Sequence, residues 1–76
     1  MIIAPHKQRV LDELHQLHER IVKLGDFFET EIFADLDKGE QDRLDSQYHV
    51  MKAYRAILIQ RIEAMGLREY FQGTAA

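Results

Sequence analysis

The fold is decided by residues 5–28, which read PHKQRVLDELHQLHERIVKLGDFF. Apolar residues recur there at alternating steps of four and three, at Val10, Leu14, Leu17, Ile21, Leu24 and Phe28. This spacing is the heptad seam of a helix that packs against other helices, and it is narrower than the apolar face of an ordinary globular helix. A chain of 76 residues offers few partner helices of its own. The seam therefore predicts a subunit whose function lies between subunits.

The first helix is predicted to begin at Pro5, because the first helical turn tolerates the missing N–H of proline. It is expected to run to about Leu24, with Gly25 as the residue that ends it in the left-handed conformation. If Gly25 only kinks the helix, Phe28 extends the seam. An acidic connection follows. Thr30 has the side chain to cap a short helix over residues 31–36.

A second long helix is predicted to begin after Asp37, since Asp37 and Glu40 have the spacing of a capping box. Gly66 is expected to end this helix, with the apolar Leu67 after it. The four-three rhythm continues along it, except that Arg55 stands at one seam position. The apolar seam residues are Leu44, Tyr48, Met51, Leu58, Ile62 and Met65.

These elements predict an all-α fold of two long antiparallel helices with a short connecting helix. We expect residues 1–67 to form a single helical domain and residues 68–76 to form a flexible C-terminal tail. The chain has no Cys to staple so small a core, and domains of this size are marginal on their own. The fold is therefore predicted to assemble as a symmetric helical homo-oligomer. No apolar stretch approaches the length of a membrane span.

The net charge of −3 is unevenly distributed along the chain. Residues 26–45 carry eight acidic residues against two basic ones, whereas both long helices are locally basic. Binding to DNA or other bulk nucleic acid needs a basic stripe over the whole domain, which this chain lacks. A small anionic ligand needs only a few converging cations.

No catalytic constellation is present in the sequence: there is no nucleophile with its base and no glycine-rich phosphate loop. We therefore expect no enzyme and no cofactor. His15, His18 and Glu19 share one helical turn and are weighed as metal ligands, but half-buried residues at a helix interface are the favoured interpretation. Arg55 either extends its stem along apolar surface to solvent or points into a cavity between subunits.

Five polar residues remain as candidates for ligand binding: His6, Arg9, Arg20, Lys23 and Arg61. On spacing alone they are better described as ordinary solvated helix residues.

An ordered set of residues runs through both helices and their connection. It comprises Pro5, His6, Arg9, Val10 and Glu13; Leu17, Arg20, Ile21, Lys23, Leu24 and Phe27; Phe33 and Leu36; and Leu44, Gln47, Met51, Tyr54, Leu58, Arg61 and Ile62. This set resembles a family of small phage proteins, the anti-CBASS cyclic-oligonucleotide sponges, over residues 5–62.

The resemblance implies a homohexamer that binds cyclic di- and trinucleotide second messengers between subunits in the host cytoplasm, without chemistry on them. It places binding residues at His6, Arg20 and Arg61. An aromatic residue that stacks on a base is expected near the helix start in this family. Here that role would fall to His6 or to a Phe or Tyr of a neighbouring subunit.

Two other functions stay open at this point. The first is a helical protein–protein interaction module with which a phage inhibits a host factor without binding nucleotide. The second is a metal-dependent enzyme that uses His15, His18 and Glu19.

Overall fold

A computed structural model describes residues 3–71 of the chain. It contains three α-helices, α1 (Pro5–Phe27), α2 (Glu31–Ala34) and α3 (Lys38–Ala64), followed by a short 3₁₀ helix (Arg68–Phe71). No strand occurs in this part of the chain. The predicted all-α class, with two long helices and a short one between them, is confirmed.

The prediction that Gly25 ends the first helix is wrong. Helix α1 continues through Gly25 to Phe27, and the positive φ among the described glycines belongs to Gly66. A Cβ at Gly25 would lie 3.3 Å from the hydroxyl oxygen of Tyr48 on α3. Gly25 therefore serves close packing between the two long helices and not helix termination.

Helix α2 is capped as predicted but is shorter than the expected 31–36. The Oγ1 atom of Thr30 accepts a hydrogen bond from the backbone N–H of Phe33 at 3.2 Å. The helix ends at Ala34 because the side-chain amide of Gln41 donates to the carbonyls of Phe33 and Ala34 at 3.0 and 3.3 Å. These bonds satisfy carbonyls that a longer helix would have used.

Only one of the two hydrogen bonds of the predicted capping box is formed at the start of α3. The Asp37 carboxylate accepts a hydrogen bond from the backbone N–H of Glu40 at 2.9 Å. The Glu40 carboxylate accepts from Nε of Arg43 at 2.9 Å, so its side chain turns along the helix and not back to the cap.

The end of α3 is confirmed as predicted. Gly66 has φ of 74°, and its N–H donates to the carbonyl of Glu63 at 3.0 Å. The N–H of Leu67 donates to the carbonyl of Ile62 at 3.0 Å. These two bonds are the Schellman arrangement that a left-handed glycine permits.

The two long helices pack as an antiparallel hairpin. Two contacts set their register: His18 on α1 meets Arg55 on α3, and Gly25 on α1 meets Tyr48 on α3. The predicted α1 seam forms most of the core, although Leu24 and Phe28 are only half-buried. Among the described residues, the buried apolar core comprises Val10, Leu11, Leu14, Leu17, Ile21, Leu58 and Ile62.

The hairpin is elongated. Its extents are 49 × 21 × 16 Å and its radius of gyration is 15.1 Å, whereas a compact chain of this length has a radius of about 11 Å. Helix α3 contributes only Leu58 and Ile62 to the buried core. The side of α3 that faces away from α1 therefore remains uncovered within one chain.

The predicted flexible tail covers residues 68–76. Its first four residues form the 3₁₀ helix, and residues 72–76 lie outside the described part of the chain. Flexibility of this segment stays a prediction.

Candidate functional site

The hairpin has two long edges where α1 and α3 meet, and the contact between His18 and Arg55 defines one of them. The Nη1 atom of Arg55 lies 3.0 Å from Nδ1 of His18, and both side chains are half-buried. Lys52, with its Nζ atom 4.6 Å from the centroid of the Tyr48 ring, follows along the same side of α3. We call this side the His18 edge.

The opposite edge carries most of the predicted binding residues of α1. At about 100° per residue, His6, Arg9 and Arg20 fall within a sector of about 60° on α1. This sector lies on the other side of the buried seam from His18. Glu13 is the acidic residue that falls in the same sector.

Helix α3 contributes Tyr54 and Arg61 to that same opposite edge. Relative to the buried Leu58 and Ile62, Arg55 turns about 40° toward the His18 edge. Tyr54 and Arg61 turn about 60° and 80° the other way. We call the edge that carries His6, Arg9, Arg20, Tyr54 and Arg61 the basic edge.

The register divides the predicted binding residues of one chain into two groups. Because His18 lies opposite Arg55, Arg61 lies at the level of Asp12, close to Arg9 and the start of α1. Arg20 lies about 17 Å further along α1 than Arg9. One chain therefore does not bring all of these cations together around a small ligand.

Lys23 is the predicted binding residue that the structure sets apart. It lies about 60° around α1 from Arg20, toward the outer side of the helix. It is exposed, as are the other four candidates.

None of the five candidate cations takes part in a salt bridge within residues 3–71. The ion pairs there lie in the first turns of α3, between Lys38 and Asp42 and between Arg43 and Glu40. His49 approaches Asp45 at 3.6 Å in the same region. The hydrogen bond from Lys38 to Asp42, together with the charge of that carboxylate, raises the pKa of Lys38 above its ordinary value. Among the described residues the ion pairs are thus confined to the first turns of α3, and the arginines of the basic edge form none, although Glu13 lies in the same sector.

The start of α1 adds positive potential at one end of this edge. Ala4 provides no side-chain cap, and the first turn contains no acidic residue. His6, Lys7 and Arg9 stand there instead, although the helix dipole favours negative charge at this end. The dipole and the side chains therefore act together on any anion near the start of α1.

Within one chain, Arg55 makes a contact that the sequence does not indicate. Its guanidinium is held inside the chain by His18, and the Nδ1 atom of His18 must be the acceptor, because arginine only donates. The same bond occupies one nitrogen of the His15–His18 pair. Within residues 3–71, no group of three or more His, Asp or Glu side chains is placed to hold a metal ion.

A surface cavity of about 360 Å³ lies at the end of the hairpin, between the start of α1 and the 3₁₀ helix. Lys7, Leu67 and Tyr70 are among its lining residues. This cavity lies several helical turns away from Arg20.

Tyr54 belongs to the set of residues that carries the family resemblance, but the sequence assigns it no role in binding. In the sequence it belongs to an apolar stretch that widens the seam of α3. Only the register of the two helices shows that it stands beside Arg20, so no local signal identifies it.

The fold and this edge define a small all-α chain that presents exposed arginines without ion pairs beside an uncovered apolar helix face. The Sequestin family model matches residues 4–64, and the chain belongs to the Sequestin family. The family name fits a protein that sequesters a ligand. No curated protein and no solved structure matches the chain. No helix of residues 3–71 is long and apolar enough to cross a membrane.

Proposed function

We propose that this protein sequesters cyclic di- and trinucleotide second messengers in pockets between its subunits, and that it thereby blocks CBASS antiphage immunity. Membership in the Sequestin family supports the sequestering part of this proposal. The ordered resemblance over residues 5–62 supports the choice of cyclic oligonucleotides as ligands. The protein would be encoded by a phage and would act in the cytoplasm of the host cell.

The observation that carries the proposal is that the arginines of the basic edge are exposed and form no ion pair within the described residues. Arg20 and Arg61 are exposed, and neither forms an ion pair within the described chain. A guanidinium presents a planar fork of donors that matches the oxygens of a phosphate. A cyclic oligonucleotide offers several phosphates close together, so it suits a site in which arginines converge.

Convergence of the arginines requires a second copy of the chain. Arg9 and Arg20 are about 17 Å apart along α1 in one copy. A two-fold contact between copies presents every residue twice, so one Arg20 becomes two around a shared ligand.

The uncovered face of α3 supports such an assembly. Val50 and Ile57 are 67% and 53% exposed, and only Lys52 and Arg55 are polar in residues 50–59. A helix that is apolar on nearly all sides is normally buried on all of them. We propose that α3 is covered by neighbouring copies, and that the complete assembly is a homohexamer.

The proposed role involves no bond-making or bond-breaking. The arginines would bind phosphates and the burial between subunits would withhold the ligand from its effector. In this account the ligand leaves the protein unchanged whenever the assembly is unfolded.

A second candidate function rests on the same α3 face. The exposed Val50 and Ile57 would also serve a helical protein–protein interaction module that binds a host factor and no nucleotide. The two functions differ in whether Arg20 matters, since a purely apolar contact does not require it.

Isothermal titration calorimetry tests the proposal. The purified protein is titrated with cyclic di-AMP, cyclic di-GMP, cyclic GMP–AMP and cyclic tri-AMP, and at least one of them is expected to bind. Arg20→Ala should weaken cyclic dinucleotide binding at least tenfold while the assembly keeps its mass. Arg43→Ala is the matched control, because Arg43 is exposed but already paired with Glu40. Absence of binding to all four ligands would favour the interaction module.

A further inference from the structure

Tyr54 is an exposed aromatic residue in the middle of α3, with 40% of its surface accessible. Tyr48, one and a half turns earlier, is used differently. Its ring packs edge-on against Phe28, with centroids 5.2 Å apart, and its hydroxyl approaches Gly25. Tyr48 thus has a structural role inside the hairpin, whereas nothing within the hairpin requires an aromatic ring at position 54.

The register puts Tyr54 beside Arg20. Because His18 lies opposite Arg55, Tyr54 lies opposite Glu19. Tyr54 and Arg20 are therefore offset by only about one residue, or about 1.5 Å, along the hairpin axis. Both turn to the basic edge, away from the His18 edge. Neighbouring helix axes are about 8–10 Å apart. The side chains of Arg20 and Tyr54 therefore project into solvent next to each other.

The pair offers the two chemical groups that a nucleotide needs. A guanidinium binds phosphate through its fork of donors, and an aromatic ring stacks on the face of any base. The other exposed cation of α3 on this edge, Arg61, lies two turns from Tyr54 and is therefore less suited to share one nucleotide with it.

We propose that Tyr54 stacks on the base of a bound nucleotide unit whose phosphate is held by Arg20. Each subunit contributes one such pair, so a two-fold contact between subunits binds a ligand with two bases and two phosphates. This inference rests on the proposed function, since it names the residue that recognises the bases at the same site.

Substitutions at position 54 separate stacking from packing. Tyr54→Phe keeps the ring and should bind cyclic dinucleotides within about twofold of wild type. Tyr54→Leu keeps apolar bulk without the ring, and loss of one stacked base predicts about five- to 150-fold weaker binding. Tyr70→Leu is the matched control, because Tyr70 is 38% exposed but lies away from Arg20. Its affinity should equal that of wild type.

A spectroscopic readout tests the stacking itself. The chain has no Trp and three Tyr residues, so in the variant Tyr48→Phe/Tyr70→Phe the tyrosine fluorescence comes from position 54 alone. Saturating cyclic dinucleotide should quench this fluorescence. Light scattering checks whether Tyr54→Leu alters the mass of the assembly. If it does, the fluorescence measurement still tests stacking, because the variant used for it keeps Tyr54.

Two results distinguish the failure of this inference from that of the proposed function. If wild type binds a cyclic dinucleotide and Arg20→Ala abolishes binding, but Tyr54→Leu binds like wild type or the fluorescence is unquenched, only the role of Tyr54 is overturned. If wild type binds none of cyclic di-AMP, cyclic di-GMP, cyclic GMP–AMP and cyclic tri-AMP, the proposed function and the role of Tyr54 fall together; binding of cyclic tri-AMP alone overturns only the role of Tyr54.

Discussion

The guanidinium of Arg55 donates a hydrogen bond of 3.0 Å to Nδ1 of His18 across the two long helices. Arg55 occupies a position at which the four-three rhythm of α3 calls for an apolar residue. The hairpin thus accommodates a cation in its apolar seam by pairing it with a neutral ring. The same contact fixes the register that places Arg20 and Tyr54 together on the opposite edge.

Removal of the histidine acceptor should destabilise the hairpin. His18→Leu leaves the half-buried guanidinium of Arg55 without its partner, and hydrogen bonds to charged groups contribute about 1.5–3 kcal/mol. Because the pair is only half-buried, we expect a loss of about 1 kcal/mol in the free energy of unfolding, measured by urea denaturation at fixed protein concentration.

The double variant provides the control for this pair. His18→Leu/Arg55→Met removes the charge together with its acceptor, and replacing both partners of a hydrogen bond by apolar groups of similar shape can be nearly neutral or stabilising. The double variant should therefore be at least as stable as wild type. A double variant less stable than His18→Leu alone would contradict this description of Arg55.

A substitution at Gly25 tests whether this glycine is needed for close packing against Tyr48. An alanine in a helix interior is favoured over glycine by about 0.5–1 kcal/mol. In the wild type this gain is opposed by the hydroxyl of Tyr48, 3.3 Å from the new Cβ. Gly25→Ala should therefore stabilise the protein by about 0.5–1 kcal/mol in a Tyr48→Phe background and by less in the wild type. Equal effects in the two backgrounds, measured by thermal unfolding, would show that Tyr48 does not oppose the change.

Gly66→Ala should destabilise the end of α3. The φ of 74° at Gly66 costs an L-residue with a Cβ about 1–2 kcal/mol. Because a Cβ there meets no atom within 4 Å, backbone strain is the only source of the effect. Gly66→Asn should lose less stability than Gly66→Ala, since asparagine tolerates this conformation; equal losses would argue against strain.

The uncovered face of α3 should control the oligomeric state. Val50→Ser/Ile57→Ser removes two exposed apolar side chains from the proposed contact between copies, and we expect the assembly to dissociate or lose mass in light scattering. Ile32→Ser is the control, because Ile32 is as exposed as Val50, at 67%, but lies on α2. An unchanged mass for the double variant would move the contact to another face.

Much of the fold follows from local signals in the sequence. The seam of α1, the caps at Thr30 and Asp37 and the glycine at 66 each depend on residues within one or two turns, and the structure confirms them. Gly25 was misjudged because a glycine after an apolar run looks the same whether it ends a helix or admits a neighbouring ring. Only the position of Tyr48 on α3 distinguishes the two.

The site was harder to predict for the same reason. Each cation of the basic edge is an ordinary exposed helix residue when considered alone. The grouping of Arg20 with Tyr54, and the pairing of Arg55 with His18, depend on the register between two helices that are far apart in sequence. No spacing within one helix contains that information.

The most direct test of sequestration without chemistry is the fate of a bound ligand. The protein is loaded with the cyclic oligonucleotide that it binds in calorimetry, freed of excess ligand and unfolded by heat, and the released material is identified by mass spectrometry. We expect intact cyclic oligonucleotide, recovered in the amount that was bound, even after prolonged incubation before heating. Recovery of a linear or cleaved product would contradict it and would identify the protein as an enzyme.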